Sequence, residues 1–179
     1  MRDEFVAVAP IGSFILAMTS LPAGRLDPFL VQGNLPMSNA PVPRPLEYGA
    51  PISLEHAKAV MAAAEAEARA NDWPMVIAIV DSGGHLVMLH SLDNAQHGSI
   101  AVAQEKARCA VNFKRATKTL EESLSQGGLH LRLLATPGIA PLEGGIPLMA
   151  GGKIVGAIGV SGMRSTQDGQ VAEAGAKAM

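Results

Sequence analysis

The sequence predicts an α+β domain in which helices pack on the faces of an antiparallel sheet of about five strands. The pattern along the 179 residues runs helix, hairpin, helices, short strand, hairpin and helix. Both hairpins turn on short glycine-containing segments, residues 81–84 and 150–152, and hairpins imply antiparallel pairing. The hydrophobic content of 48% is sufficient for a complete core.

The first 50 residues differ in composition from the rest of the chain. Eight of the 12 prolines lie at or before position 51. We therefore predict a Pro-rich arm over residues 1–50 and the α+β domain over residues 51–179. Apolar residues such as Phe5, Phe14 and Phe29 predict that the arm packs on a surface, either its own or a neighbouring subunit's. A disordered tail is the alternative.

The domain begins with a helix and a hairpin. Ser53 is a suitable N-cap, and apolar residues follow it at helical spacing as far as about Asn71. Residues 75–80 form a continuous apolar run, which predicts a strand buried on both faces. Residues 85–90 return as its hairpin partner.

Two further helices, a second hairpin and a closing helix follow. Ser99 caps the second helix, and Thr117 begins a short third helix that ends near Ser125. The apolar segment 129–135 is ambiguous between helix and strand, and we count it as the short strand. The last predicted elements are strands at 146–149 and 153–160 and a helix from Thr166 onward.

Composition excludes several functions. A net charge of −2 and an aromatic content of 3% argue against nucleic-acid binding. The single cysteine, Cys109, excludes an intrachain disulfide and a cysteine-based metal cluster. No segment reaches the length of a membrane-spanning helix, so we expect a cytoplasmic protein without membrane contact. Export is the alternative, because residues 6–18 are apolar, although Asp3 and Glu4 oppose a signal peptide.

Glu143 is the first candidate for chemistry. It stands between Pro141 and the pair Gly144-Gly145, in a stiff turn that lets a ligand approach the backbone. In an apolar environment its carboxylate is suited to proton transfer or to anchoring a ligand. The alternative is a structural carboxylate that accepts N–H groups of the turn.

A polar and mostly basic cluster lies where the second helix ends and the third begins. Together with the N–H groups at the start of the third helix, such side chains are suited to binding a carboxylate or phosphate. The alternative is a solvated surface. The members are Lys106, Arg108, Asn112, Lys114, Arg115, Thr117 and Lys118.

Two of the five histidines, His56 and His130, are candidates for ligating haem iron or for proton transfer. The alternative for each is an ordinary surface histidine. The sequence lacks the motifs of zinc proteases, serine hydrolases and phosphate loops, and we predict no metal site. The glycines of residues 156–162 lie in a strand, so we expect them to admit a closely packed helix or ligand and not a dinucleotide.

Several linked motifs resemble the GlcG/HbpS family (DUF336), which includes the C-terminal domain of PduO-type corrinoid adenosyltransferases. They are ISLEHAKAVMAAAEAEA, WPMVIAIVDSGGHLVMLHSLDNA, GSIAVAQEKARCAVNFKRATKTLEE and TPGIAPLEGGIPLMAGGKIVGAIGVSG. The resemblance implies a profilin- or PAS-like domain with a five-stranded antiparallel sheet. It also implies homo-oligomers, often large ones such as octamers, and haem as a cofactor, because some relatives bind haem or iron.

These observations leave three functions open. The first is an oligomeric small-ligand-binding protein that takes haem or another tetrapyrrole, with His56 or His130 on the iron and basic side chains on the propionates. The second is a cofactor-free isomerase, tautomerase or imine hydrolase acting on a small carboxylate or aromatic-catabolism intermediate. Glu143 would be its acid or base, Arg115, Lys106 or Arg108 would hold the substrate carboxylate, and Thr117 would stabilise negative charge. The third is a non-catalytic accessory or sensor domain.

Overall fold

The structure is a computed structural model and describes residues 45–179. Residues 1–44 of the predicted arm therefore lie outside the described residues, and so does the predicted contact of the arm with a neighbouring subunit. The described part has four α-helices, one 3₁₀ helix and four strands. In chain order these are α1 Leu54–Ala70, β1 Val76–Asp81, β2 Leu86–Ser91, α2 Ser99–Phe113, α3 Thr117–Ser125, the 3₁₀ helix Gly128–Ala135, β3 Gly145–Ala150, β4 Lys153–Ser161 and α4 Ser165–Ala176.

The sheet confirms the antiparallel α+β class but corrects the number of strands. Its order is β2-β1-β4-β3, and every neighbouring pair is antiparallel. The prediction of a fifth strand was wrong, because residues 129–135 belong to the 3₁₀ helix. Gly127 and Gly128 both have positive φ, 65° and 57°, and no residue of this helix is buried. A segment that turns away from the core cannot extend the sheet.

Helices cover both faces of the sheet. Strand β1 is buried on both faces, as its continuous apolar run predicts. Successive side chains of a strand point to opposite faces. Accordingly, Ile77 and Ile79 join a core cluster with residues of α1 and α4, whereas Val80 packs with residues of α2.

Helix α2 lies directly on the backbone of β4. A Cβ atom on Gly159 would overlap the carbonyl oxygen of Ala103 and would lie 2.5 Å from the backbone nitrogen of Ala107. The glycine therefore admits the helix, as predicted for residues 156–162. This close approach brings the side chain of Lys106, on α2, to the end of β4.

Two local features fix how the chain enters the domain. Ser53 caps α1, its hydroxyl accepting the His56 N–H at 3.2 Å, which confirms the predicted helix start. Just before it, Tyr48 forms a single parallel bridge with Ile154 of β4. Within residues 45–179, no helix is long and apolar enough to span a membrane.

Candidate functional site

The turn that carries Glu143 packs closely against the core. Gly144 has a φ of 123°, and a Cβ there would lie 2.7 Å from the carbonyl oxygen of Val160 and 2.9 Å from the Cβ of Asp168. A Cβ on Gly145 would overlap the carbonyl oxygen of Lys106. Both glycines are therefore required by contacts with neighbouring backbone and side chains, and they fix where the preceding carboxylate lies.

The Glu143 side chain is held between α3 and α4. Its Oε2 accepts a hydrogen bond from Lys118 Nζ at 2.8 Å, and only 13% of the side chain is exposed. Its backbone N–H donates to the Glu121 carboxylate, and a Cβ on Gly169 of α4 would overlap the Glu143 carboxylate. The hydrogen bond with Glu143 raises the pKa of Lys118 above its ordinary value.

A small cleft opens beside this carboxylate. Its volume is about 40 Å³, which is sufficient for at least one water molecule. Lys118 contributes a cation, while Glu143 and Glu173 contribute carboxylates. The lining residues are Ala116, Lys118, Glu143, Gly144, Gly145, Ile146, Gly169 and Glu173.

Lys106 does not face this cleft as a free cation. Its Nζ donates to Asp168 Oδ2 at 2.7 Å and to the carbonyl oxygen of Val160 at 2.9 Å. The side chains of the ion pair are only 2% and 4% exposed. Burial raises the pKa of Asp168 above its ordinary value, although the hydrogen bond from Lys106 acts in the opposite direction. The structure thus places Lys106 in the core behind Gly144.

Thr117 also has a partner inside the protein. It is fully buried, and its Oγ1 accepts the N–H of Gly145 at 2.9 Å. The hydroxyl therefore holds the first residue of β3 against the first residue of α3.

The other predicted basic residues are not brought together into one anion site. Arg108 donates to the Glu105 carboxylate at 2.7 Å on the surface of α2. Arg115 donates from Nε to the carbonyl oxygen of Phe113 at 3.0 Å. Each guanidinium thus has a local acceptor, whereas the ion-pair partner of Glu143 is Lys118.

Lys114 and Asn112 lie beside the segment that precedes α1. Lys114 has a left-handed φ of 55°, and its Nζ lies 4.2 Å from the centre of the Tyr48 ring. It also donates to the carbonyl oxygen of Leu46 at 2.6 Å. The exposed Asn112 accepts from the Tyr48 hydroxyl through its backbone carbonyl at 3.3 Å. These contacts attach the start of the domain to the end of α2.

The two candidate histidines occupy different surfaces. His56 is exposed in the first turn of α1. His130 is exposed in the 3₁₀ helix Gly128–Ala135. Beside His130, Leu129 is 83% exposed and Leu134 is 67% exposed. The structure thus sets His130 in an unusually apolar part of the surface.

Sequence reasoning missed two residues that contact Glu143, namely Glu121 and Gly169. Glu121 gives no signal of its own, because acidic residues are ordinary in surface helices. Gly169 gives one, since a glycine inside a helix is costly unless a neighbour must approach closely. Within residues 45–179, no three His, Cys, Asp or Glu side chains lie close enough together to hold a metal ion.

Comparison with known sequences confirms the predicted family. Residues 52–177 match the family described as "Haem degrading protein HbpS-like". The chain is 40% identical to the GlcG protein of Escherichia coli K12 over 110 residues, which make up 62% of this chain and 81% of GlcG.

Solved structures give the same assignment. PduOC in complex with haem superposes with a TM-score of 0.66 at 26% identity, covering 73% of this chain and 96% of PduOC. A double mutant of HbpS from Streptomyces reticuli superposes with a TM-score of 0.66 at 32% identity, covering 77% of this chain and 95% of that one. The match over residues 52–177, together with these relatives, shows that this chain belongs to the HbpS-like family.

Proposed function

We propose that this protein binds haem or a similar tetrapyrrole on the surface formed by the 3₁₀ helix Gly128–Ala135. One observation carries the proposal: this short helix has no buried residue and exposes a histidine among leucines. Exposed apolar surface of this kind is typical of a site that a ligand or partner covers.

The residues of this helix fit the chemistry of haem. The imidazole of His130 is a suitable ligand for the iron. Leu129, Leu131 and Leu134 are all exposed and offer apolar surface for the ring. Arg132 is exposed in the same helix, and a guanidinium pairs well with a propionate carboxylate. When bound, haem would supply the iron chemistry, and the protein would supply binding and access.

The related structures support the ligand class. PduOC, which shares this fold, was solved as a complex with haem. The iron ligand proposed here follows from the residues of this chain. His56 is the competing candidate, because it is also exposed. Its turn of α1 carries Glu55, a carboxylate that would disfavour a nearby propionate.

A haemin titration followed by the Soret band tests the proposal. We expect saturable binding that is lost in His130→Ala and retained in His56→Ala. His97→Ala is the matched control, because His97 is another exposed histidine and lies outside the leucine-rich helix. Weak, unsaturable binding in the unmodified protein and in all three variants would mean that haemin adsorbs to apolar surface, and this would reject the proposal. Loss in His56→Ala alone would move the iron ligand to α1.

A second candidate function is proton transfer by Glu143. The observation that favours it is a carboxylate that is mostly buried, paired with Lys118 and bordered by a glycine-lined cleft. Such a carboxylate can accept a proton from the carbon next to a carbonyl group, while the Lys118 ammonium group stabilises the negative charge that develops on the substrate. The small cleft volume restricts the reacting part of the substrate to a small group.

Hydrogen–deuterium exchange tests this second function. Small 2-oxo carboxylates in D₂O would be followed by NMR for deuterium uptake at the carbon beside the carbonyl. We expect exchange to be lost in Glu143→Gln and retained in Glu173→Gln, which changes another carboxylate of the same cleft. Equal exchange in Glu143→Gln and the parent protein would reject Glu143 as the base. A protein that neither binds haem nor exchanges would fit the accessory or sensor function.

A further inference from the structure

We infer that a groove between the end of α1 and the loop after β2 binds a small organic ammonium ion. Trp73 provides an aromatic wall for this ligand, and Asp72 and Asp93 provide the opposite charge. The groove is separate from both surfaces proposed above, because none of its lining residues belongs to the helix Gly128–Ala135 or to the cleft beside Glu143.

The groove has the size of a small-molecule site and a fixed framework. Its volume is about 440 Å³, within the roughly 300–1,000 Å³ of ligand pockets. It lies between the α1–β1 connection and the β2–α2 connection. A hydrogen bond joins these two segments, since the Leu92 N–H donates to the carbonyl oxygen of Met75 at 3.0 Å. The two walls are therefore held together by the protein itself.

The end of α1 places a carboxylate where glycine is usual. The Asp72 N–H donates to the carbonyl oxygen of Arg69 at 3.2 Å, and the Trp73 N–H donates to that of Ala68 at 3.0 Å. In this type of helix end the residue with a left-handed backbone is normally glycine, whereas here it is Asp72, with a φ of 54°. The negative end of the helix dipole also disfavours a carboxylate. A cation bound beside Asp72 would relieve this unfavourable arrangement of charge.

The groove has an excess of negative charge. Asp72 and Asp93 both line it and are both exposed. In the described part of the chain, neither carboxylate takes part in an ion pair. Arg69 is the one cation among the described lining residues, and its Nε donates to the Glu65 carboxylate at 2.9 Å. Because Glu65 balances the charge of Arg69, the two aspartates decide which ion the groove attracts.

The aromatic wall favours an organic cation over a metal ion. Trp73 is half-buried, since it packs against the main core cluster and also lines the groove. Pro74 and Leu92 add further apolar lining. The face of an indole ring attracts an ammonium group more strongly than the other aromatic side chains do. Two carboxylates beside such a wall are therefore suited to an ammonium ion that carries a small apolar body.

The fluorescence of Trp73 tests the inference directly, because it is the only tryptophan of the sequence. Choline would be titrated into the full chain without haem, alongside dimethylbutanol, the uncharged isostere in which carbon replaces the choline nitrogen. We expect a saturable change of the tryptophan emission with choline, and binding of dimethylbutanol that is about tenfold weaker or more. Equal affinity for these two probes would overturn the inference. So would the absence of a saturable change with both choline and its primary-amine analogue ethanolamine.

Two substitutions remove the negative charge and keep the shape of the groove. Asparagine tolerates a left-handed backbone as aspartate does, so Asp72→Asn should fold normally, and urea unfolding of each variant checks this. Asp72→Asn and Asp93→Asn should each weaken choline binding about two- to fivefold, and the double variant about tenfold. Glu55→Gln is the matched control, because Glu55 is an exposed carboxylate at the opposite end of α1. Unchanged choline affinity in the double variant, or an equal loss in Glu55→Gln, would overturn the inference.

Discussion

The buried ion pair between Lys106 and Asp168 gives the sharpest prediction about stability. Both side chains are almost fully buried, and their charged atoms lie 2.7 Å apart. Replacing Lys106 by Met keeps an unbranched side chain of similar volume but leaves the aspartate without its cation. Removing one partner of a buried ion pair typically costs about 3–5 kcal/mol. We therefore expect Lys106→Met to lower the free energy of unfolding by about that amount, a large part of the total stability of a domain.

The loss should depend on pH with a definite sign. Burial already raises the pKa of Asp168 above its unfolded value, and Lys106 opposes that rise. Without Lys106 the folded-state pKa increases further, so the folded variant binds a proton more tightly than the unfolded chain does. Stability of the variant relative to the parent therefore improves as the pH falls through the raised pKa. The deficit should be largest at neutral pH and smaller under acidic conditions.

Urea unfolding at several pH values measures both effects. The double variant Lys106→Met/Asp168→Asn removes both charges and should recover part of the loss, because no uncompensated charge remains. Lys118→Met is the matched control, since the Lys118 side chain that pairs with Glu143 is half-exposed and its loss should matter far less. If Lys106→Met and Lys118→Met lose equal stability at neutral pH, the assignment of Lys106 to a desolvated core site is wrong.

Three further substitutions test other parts of the fold. The hydrogen bonds that Glu65 accepts from Arg69 and His90 lower the pKa of its carboxyl group. These bonds therefore stabilise the fold above the unfolded-state pKa of Glu65, and the stabilisation is lost as the pH falls through the lower folded-state pKa. In thermal unfolding, Glu65→Gln should be less stable than the parent by about 1 kcal/mol at most at pH 6 and equally stable near pH 2. Gly159→Ala should destabilise by about 1–3 kcal/mol or more, because backbone atoms of α2 occupy the space of the new methyl. In the control Gly98→Ala nothing lies within 4 Å of the new atom, and a comparable loss there would contradict the packing argument. Tyr48→Phe removes a 2.9 Å hydrogen bond to the Val111 carbonyl and should cost about 0.5–1.5 kcal/mol in urea unfolding; no measurable loss would mean that this contact does not hold the start of the domain.

Local sequence signals predicted the order of the elements well. The Ser53 cap, the apolar run of β1 and the glycine turns each depend on a few adjacent residues, and the structure confirms them. The segment after Gly127-Gly128 was misread, because its leucines have the composition of a core strand but lie exposed in the 3₁₀ helix. Apolar residues that serve a ligand or a partner cannot be distinguished by composition from those that serve the core.

The candidate site was only partly accessible to sequence reasoning. The turn around Glu143 was recognisable because two glycines and two prolines restrict it locally. The partner of Lys106 was not, because Asp168 lies 62 positions further along the chain and meets it only after the sheet and α2 have packed. A lysine in a basic stretch gives no sign that it will be buried, and the sequence placed it in a candidate anion site, with a solvated surface as the alternative. Pairing across the fold therefore decided its role.

The two proposed activities use separate parts of the surface. A relative that has one of these activities therefore gives no evidence about the other activity in this chain. The Glu143 cleft has a volume of about 40 Å³, far below the roughly 300 Å³ or more of typical ligand pockets, and is too small for a tetrapyrrole. The leucines around His130 belong to the helix Gly128–Ala135, and none of them lines that cleft. Haem binding by a relative therefore gives no information about whether Glu143 is a base. Equally, loss of exchange in Glu143→Gln would leave haem binding unaffected. Each function has to be judged in each family member from the residues of its own surface.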